Sequence, residues 1–139
     1  MFFYHGTNKE NIDSIAVNGI RPRNENENKD GTWGGMSNNE CVYLTTDIDK
    51  AEVFAGRFKE GVVLQVVVEE DNQNLRVDDN FLYYEDRAMD WNKSVARVTQ
   101  DKRWKESIEK YKLCAHIGTI EPEKVIFVKE VKSNRDYFY

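Results

Sequence analysis

The first twenty residues combine a short apolar run with a helical repeat. Residues 2–5 are predicted as a strand, because aromatic side chains favour extended backbone, and residues 6–7 are predicted as a turn. Apolar residues recur at helical spacing over residues 8–18, and Asn8 is the predicted N-cap. Gly19 is predicted to end this helix, since glycine readily adopts the left-handed conformation found at helix C-termini.

Short extended runs and helical repeats alternate along the rest of the chain. The run at residues 62–68 is rich in β-branched residues and is the most strand-like in the sequence. A helix over about 49–58, with Thr46 or Asp47 as its cap, places apolar residues on one face. Further strands are predicted at 41–45, 74–77, 113–117 and 125–131, and a helix at 81–111 with a break near residue 99. The mixture predicts an α+β fold.

Length and composition are those of one domain covering residues 1–139. Hydrophobic residues make up 40% of the chain and charged residues 32%, and no apolar run reaches the length of a membrane span. We see no secretory leader, so we expect a cytoplasmic protein that does not associate with membranes. Cys41 and Cys114 lack zinc-type spacing and are too few for a disulfide framework, so we expect reduced thiols and no metal.

The formal net charge of −5 argues against a general nucleic-acid binder, which would show a basic face. Residues 24–39 are polar and glycine-rich and contain an isolated Trp33. Long loops of this kind in compact domains are either functional or disordered. We expect this loop to act as a lid, with Trp33 as its contact residue.

Two segments carry motifs in a recognisable order. The first runs His5-Gly6-Thr7, then a short helix containing Asn11, then Gly19-Ile20-Arg21. The second runs Val42-Tyr43-Leu44-Thr45-Thr46 and continues to Lys50, Ala51 and Phe54. Together they resemble the ADP-ribosyltransferase superfamily, and its poly(ADP-ribose) polymerase branch in particular, where a strand with His-Gly-Ser and a Gly-x-Arg-type exit are followed by a tyrosine strand and an aromatic on the next helix. The resemblance implies two packed sheets, antiparallel or mixed, that form an NAD cleft with short flanking helices.

The resemblance also implies a role for each of these residues. NAD would be the co-substrate, cleaved at its nicotinamide–ribose bond. His5 would bind a ribose hydroxyl and the Gly6 backbone the carboxamide, while Tyr43 and Phe54 would enclose the nicotinamide ring. Arg21 would bind a phosphate or the adenosine end, and Thr7 and Asn11 would lie near the adenosine ribose. Ala51 stands where the polymerases have a serine.

The acid that completes the family's site is not at its usual place in the late strand, residues 113–117. Glu109 is the candidate, with Glu85 and Asp86 as another acidic pair that could fold over the site. We therefore expect transfer of a single ADP-ribose, with His5, Tyr43 and Glu109 as the catalytic set. The acceptor, a protein or a nucleic acid, is left open, and a small single domain of this kind would suit a bacterial or phage effector or toxin.

Two other functions remain open at this point. An RNA 2′-phosphotransferase shares the fold and consumes NAD, but it needs further His and Arg residues; the second histidine here is His116, and the sequence pI of about 5.1 disfavours RNA. A catalytically inactive module that binds NAD or ADP-ribose would explain the missing acid. NAD turnover distinguishes this module from the two enzymes.

Overall fold

The structure is a computed structural model that describes residues 1–25, 37–85 and 90–133. Trp33, most of the predicted lid loop and Asp86 lie outside these ranges. The described residues form six strands and five α-helices, which confirms the α+β class. In chain order they are β1 (Phe2–Asn8), α1 (Ile12–Asn18), β2 (Cys41–Thr45), α2 (Ile48–Ala55), β3 (Glu60–Val67), β4 (Leu75–Val77), α3 (Asp79–Glu85), α4 (Trp91–Arg97), α5 (Trp104–Tyr111), β5 (Leu113–Ile117) and β6 (Val125–Lys132).

The chain divides into two compact units. The first consists of Met1–Ile20, Leu44–Asp71 and Ile120–Tyr139, and the second of Arg21–Tyr43 and Asn72–Thr119. The chain passes from the second unit to the first within β2. None of the helices in the described ranges is both long and apolar enough to cross a membrane.

The hydrogen-bonded order of the described strands is β4-β5-β2-β1-β3-β6. The two separate sheets implied by the resemblance are therefore not found, because β2 has a strand neighbour on each of its edges. Strand β1 pairs antiparallel with β2 and with β3, β3 pairs antiparallel with β6, and β4 pairs antiparallel with β5.

In the first unit, β3 confirms the strand predicted at 62–68 with its bounds shifted to Glu60–Val67, and it is buried on both faces. Helix α2 packs against β1 and β3 through Ala51 and Ala55, which form a small apolar cluster with Val63. The short side chains on α2 allow the helix to lie close to the strands. Gly19 ends α1, as predicted; it has a positive φ of 76° and donates its N–H to the Ile15 carbonyl.

In the second unit, one apolar cluster joins the strands to α3, to α5 and to Val98, the residue that follows α4. Its buried members are Cys41, Val77, Phe81, Leu82, Val98 and Ala115. Tyr43, Tyr111 and Ile117 are partly buried and pack against it. Tyr43 therefore lies at the border between the core of this unit and its polar groups.

Two predictions for the N-terminal segment differ from the structure. Residues 6–7 are not a turn: β1 continues to Asn8, because Gly6 and Thr7 pair with Val63 and Val62 of β3. The helix predicted over 8–18 begins as a short 3₁₀ helix, Lys9–Asn11, and becomes α-helical only at Ile12. Asn8 caps this 3₁₀ helix by accepting the Glu10 N–H at 3.1 Å, so the predicted cap is right although the helix type is not.

The helix predicted over 81–111 is three helices in the structure. Helix α4 has its own N-cap, Asp90, which accepts the Lys93 N–H at 2.8 Å. After α4 a short 3₁₀ helix, Val98–Gln100, ends at an extended Asp101, and α5 begins three residues later. Capping and local backbone geometry divide a sequence whose helical periodicity is nearly continuous.

Candidate functional site

The predicted motif His5-Gly6-Thr7 lies on β1, where successive side chains point to opposite faces of the sheet. His5 pairs with Leu64, Gly6 with Val63 and Thr7 with Val62. Val63 belongs to the cluster beneath α2. Gly6 is thus on the face that α2 covers, and His5 and Thr7 are on the other face. The half-buried His5 side chain therefore points away from α2, whereas a side chain at position 6 would point toward it.

The space beside Gly6 explains why this position has no side chain. A Cβ atom added here would collide with the carbonyl oxygen of Ala51, and it would lie 2.8 Å from the Ala55 nitrogen and 3.2 Å from Phe54 Cβ. Helix α2 thus approaches the β1 backbone as closely as glycine allows. Gly61 on β3 makes a similar close contact with the Ala55 carbonyl.

Phe54 and Gly6 are brought together by this packing. Phe54 is 38% exposed, so its ring is not buried with Ala51 and Ala55 although helical spacing placed the three on one face. The guanidinium of Arg57 lies 5.0 Å from the centre of the Phe54 ring, a cation–π contact. Burial lowers the pKa of Arg57. Arg57 was not identified from the sequence; it follows the C-cap of α2, and its spacing of three residues from Phe54 was the available signal.

Thr7 and Asn11, predicted to lie near an adenosine ribose, contact each other. The Asn11 side-chain amide donates to Thr7 Oγ1 at 3.2 Å, and Thr7 is buried. This hydrogen bond connects the end of β1 to the start of α1. His5, Gly6, Thr7, Asn11 and Phe54 all belong to the first unit.

Arg21, Tyr43 and Glu109, the other predicted site residues, belong to the second unit. Arg21 is half-buried at the start of that unit. Two residues later, Arg23 donates to both the carbonyl oxygen and the Oγ of Ser37. Residues 21–23, which we call the arginine segment, are in this way hydrogen-bonded to Ser37, which precedes β2.

Tyr43 has a more specific environment than the sequence suggested. Its hydroxyl donates to Asp79 Oδ1 at 2.7 Å and accepts the Asn38 N–H at 2.8 Å. Burial, followed by the negative charge of Asp79, raises the pKa of Tyr43 well above its usual range. Tyr43 is therefore a neutral phenol at physiological pH, and its ring is held by hydrogen bonds on both sides of the hydroxyl.

Asp79 is the residue of this group that sequence reasoning missed. It begins α3 and is only 5% exposed, as is Asp78 before it. Burial raises the pKa of Asp79 to about 7, and the charge of Asp78 adds to the shift; the hydrogen bond from Tyr43 and the charge of Arg23 oppose it. The sequence signal was a pair of aspartates directly after a strand, but 36 residues separate Tyr43 from Asp79.

Glu109 and Glu85, two of the acids considered from the sequence, lie in open surroundings. Glu109 is exposed on α5. Glu85 accepts hydrogen bonds from Lys110 Nζ at 2.8 Å and from the Tyr111 hydroxyl at 2.9 Å. Among the acids named so far that the structure describes, Asp79 is the one that forms a hydrogen bond with Tyr43.

The remaining histidine and both cysteines are buried. His116 Nδ1 lies 3.0 Å from the Gly118 carbonyl oxygen, and Nε2 lies 3.4 Å from the Asn72 side chain. Burial lowers the pKa of His116, raises that of Cys41 to about 12 and raises that of Cys114 further. Both thiols are therefore protonated and unreactive near neutral pH. Within the described ranges, no group of three or more His, Cys, Asp or Glu residues could hold a metal ion.

Comparison with known proteins finds a similar fold. The chain is similar to a solved structure named EcPltA, with a TM-score of 0.54 and 12% sequence identity over 96% of this chain and 86% of that one. No protein-family model matches the sequence, and no curated protein matches it either. At this identity the likeness concerns the fold alone.

Proposed function

We propose that this protein is an NAD-dependent mono-ADP-ribosyltransferase, which transfers ADP-ribose to a macromolecular acceptor and releases nicotinamide. One observation carries the proposal: the motif residues occupy the elements that the family resemblance requires. His5-Gly6-Thr7 lies on β1, Tyr43 lies on β2, and Phe54 lies on α2, the helix that follows.

The proposed reaction breaks the bond between nicotinamide and the ribose C1 atom. The bonding electrons leave with nicotinamide, and positive charge develops on the ribose. An acceptor nucleophile then forms the new bond to C1 and loses its proton. A catalyst of this reaction must hold both leaving group and ribose in a geometry close to the transition state.

The proposal assigns specific tasks to the side chains. His5 would hydrogen-bond a ribose hydroxyl, and the backbone groups of Gly6 would pair with the carboxamide. As the resemblance implies, the Tyr43 ring of the second unit and the Phe54 ring of the first unit are each assigned a contact with a flat aromatic group such as nicotinamide. Arg21 would bind a phosphate, while Thr7 and Asn11 would bind the adenosine ribose. The exposed ring of Phe54 and the half-buried ring of Tyr43 support their assignments, because a wholly buried ring could not contact a ligand.

Single transfer is preferred over polymer synthesis because chain elongation requires a carboxylate that activates a ribose hydroxyl of the growing chain. Glu109, the predicted acid, is exposed on α5. The exposed position of Glu109 also favours a second candidate function, a module that binds NAD or ADP-ribose without cleaving the nicotinamide–ribose bond. An RNA 2′-phosphotransferase is less well supported, because His116 is buried and its ring nitrogens lie within hydrogen-bond distance of Asn72 and Gly118.

The test of the proposal is incubation of the purified protein with NAD labelled on its adenylate, alone and with bacterial lysate. Label on a protein or nucleic-acid band, together with free nicotinamide, would support the transferase and identify the class of acceptor. The His5→Ala variant is the control for contaminating activity. NAD binding without nicotinamide release would favour the binding module, and release of a 2′-phosphate from spliced RNA would favour the phosphotransferase.

A further inference from the structure

The Tyr43 hydroxyl connects three segments of the second unit. It accepts a hydrogen bond from the Asn38 N–H and donates one to Asp79 at the start of α3. Asn38 is itself fixed, since its side chain donates to the Val95 carbonyl at 2.9 Å and accepts the Glu40 N–H at 2.9 Å. The Tyr43 ring cannot tilt without breaking at least one of the two hydrogen bonds to its hydroxyl.

The backbone that holds Asp79 is fixed as well. The Asp78 N–H donates to Ser107 Oγ at 3.0 Å, and that hydroxyl donates to the Leu113 carbonyl at 2.6 Å. Asp78 Oδ2 accepts hydrogen bonds from both the backbone and the side chain of Asn80. Asp78 thus stabilises the first turn of α3, and Asp79, the next residue, is directed toward Tyr43.

A buried carboxylate at position 79 is energetically unfavourable, and support of the fold alone would not require one. Asp79 is buried beside a second buried aspartate, and removing a charged group from water is unfavourable. A neutral acceptor such as asparagine would bind the Tyr43 hydroxyl without that cost. Unfavourable buried charges of this kind concentrate at functional sites.

We infer that Asp79, together with the Asn38 backbone, is a positioning residue that holds the Tyr43 ring in the orientation needed to pack on nicotinamide. The inference rests on the proposed function, because it takes Tyr43 as a wall of the nicotinamide site. Asp79 acts through Tyr43 and need not contact the substrate.

The ionisation of Asp79 strengthens this arrangement, because a hydrogen bond to a carboxylate is stronger than one to a neutral acceptor. The groups that face Asp79 are Asp78 on its own segment, Arg23 in the arginine segment, and Tyr43 and Cys41 on β2. Tyr43 and Cys41 remain neutral below about pH 10, since the pKa of each is raised. Of these groups, Asp79 is the one whose protonation changes near pH 7.

The experiment measures nicotinamide release from NAD between pH 5.5 and 8.5 for the wild type, Asp79→Ala and Asp79→Asn. Asp13→Asn, the same chemical change on the exposed surface of α1, is the matched control. We expect Asp79→Ala to raise the KM for NAD about tenfold at pH 8, since it removes a charge-assisted hydrogen bond. Asp79→Asn keeps an acceptor, so its KM should lie within about threefold of wild type at pH 8 and equal it at pH 5.5.

A second readout follows the Tyr43 ring without reference to NAD. With 3-fluorotyrosine at position 43, the fluorine NMR signal should be a single sharp line in the wild type and in Asp79→Asn, and it should broaden or split in Asp79→Ala. Wild-type KM values and an unchanged fluorine signal in Asp79→Ala would overturn the inference. If the wild type releases no nicotinamide but Asp79→Ala still disorders the ring, the proposed function fails while the positioning of Tyr43 by Asp79 is supported.

Discussion

At the scale of single residues, the most informative feature is that Tyr43 and Asp79 share a hydrogen bond in the partly buried part of the second unit. A tyrosine on a β-strand needs no special explanation, because aromatic residues favour strands. A buried aspartate with a pKa of about 7 does need one. Tyr43 and Asp79 therefore form a hydrogen-bonded pair, of which the sequence motif contains only the tyrosine.

Removal of the Tyr43 hydroxyl should destabilise the protein more than loss of a surface hydrogen bond would. Tyr43→Phe leaves the Asn38 N–H and Asp79 Oδ1 without this partner, and a buried polar group left unpaired costs about 1–3 kcal/mol. Urea denaturation of the wild type and the variant measures the difference. The exposed Tyr84→Phe variant is the control and should be neutral within about 0.5 kcal/mol. Equal stability of Tyr43→Phe and wild type would contradict the hydrogen bonds described here.

The raised pKa of Asp79 predicts how stability changes with pH. In the unfolded chain this aspartate loses its proton near pH 4, whereas in the folded protein it keeps the proton until about pH 7. The folded state thus binds more protons between these values, so the free energy of unfolding falls as pH rises from 4 to 7. Asp79→Asn removes this contribution, which is on the order of a few kcal/mol.

The measurement is the free energy of unfolding of wild type and Asp79→Asn at pH 5 and at pH 8. The variant should gain stability relative to wild type as pH rises from the first value to the second. A constant difference between the two proteins across this range would show that Asp79 titrates normally.

At the scale of secondary structure elements, the close approach of α2 to β1 determines which side chains fit between this helix and this strand. Gly6 allows this approach, so packing alone requires a glycine here, and the contact that we propose between its backbone and a carboxamide would be a second requirement. Substitution of Gly6 therefore tests both reasons at once, and a stability measurement is needed to interpret any loss of activity.

Gly6→Ala should destabilise the first unit by about 2–4 kcal/mol, because the new Cβ meets backbone atoms of Ala51 and Ala55 that cannot move without displacing the helix. Thermal unfolding followed by circular dichroism measures the loss. Val53→Ala, on the exposed side of the same helix, serves as the control and should change stability little. If Gly6→Ala is as stable as Val53→Ala, the helix does not lie as close to β1 as the structure has it.

Much of the element order could be predicted from the sequence, and the errors have identifiable causes. Strands β2 and β5 were predicted with the bounds found, because each is a short apolar run between polar residues. Residues 6–7 were predicted as a turn because glycine and threonine are common in turns, but pairing with β3 keeps them in the strand. Tertiary pairing outweighed local preference.

The site was predictable only where its residues lie close together in sequence. The motif on β1, Tyr43 and the aromatic on α2 were identified through the family resemblance, and the structure places Gly6 beside Phe54. Asp79 could not be identified, because its partner Tyr43 is 36 residues away and no local pattern links them. Trp33 and Asp86 lie outside the described residues, so their predicted roles stay predictions.

At the scale of the whole molecule, the acidic charge is unevenly distributed. The segments of the second unit contain as many basic as acidic residues, so the formal charge of −5 is carried by the first unit. A nucleic-acid acceptor would be repelled by the first unit and not attracted strongly by the second. This distribution provides no strong electrostatic attraction for a nucleic acid, whose binding to a protein usually depends on basic residues.

We propose that this protein cleaves NAD at the nicotinamide–ribose bond. The most direct measurement is the rate of nicotinamide release from NAD by wild type and by His5→Ala. Asp13→Asn serves as a surface control, and circular dichroism verifies that each protein is folded. We expect release by the wild type and by Asp13→Asn, and loss of at least about 90% of the rate in His5→Ala. Folded wild-type protein that binds NAD but releases no nicotinamide, or an undiminished rate in His5→Ala, would contradict the proposed cleavage.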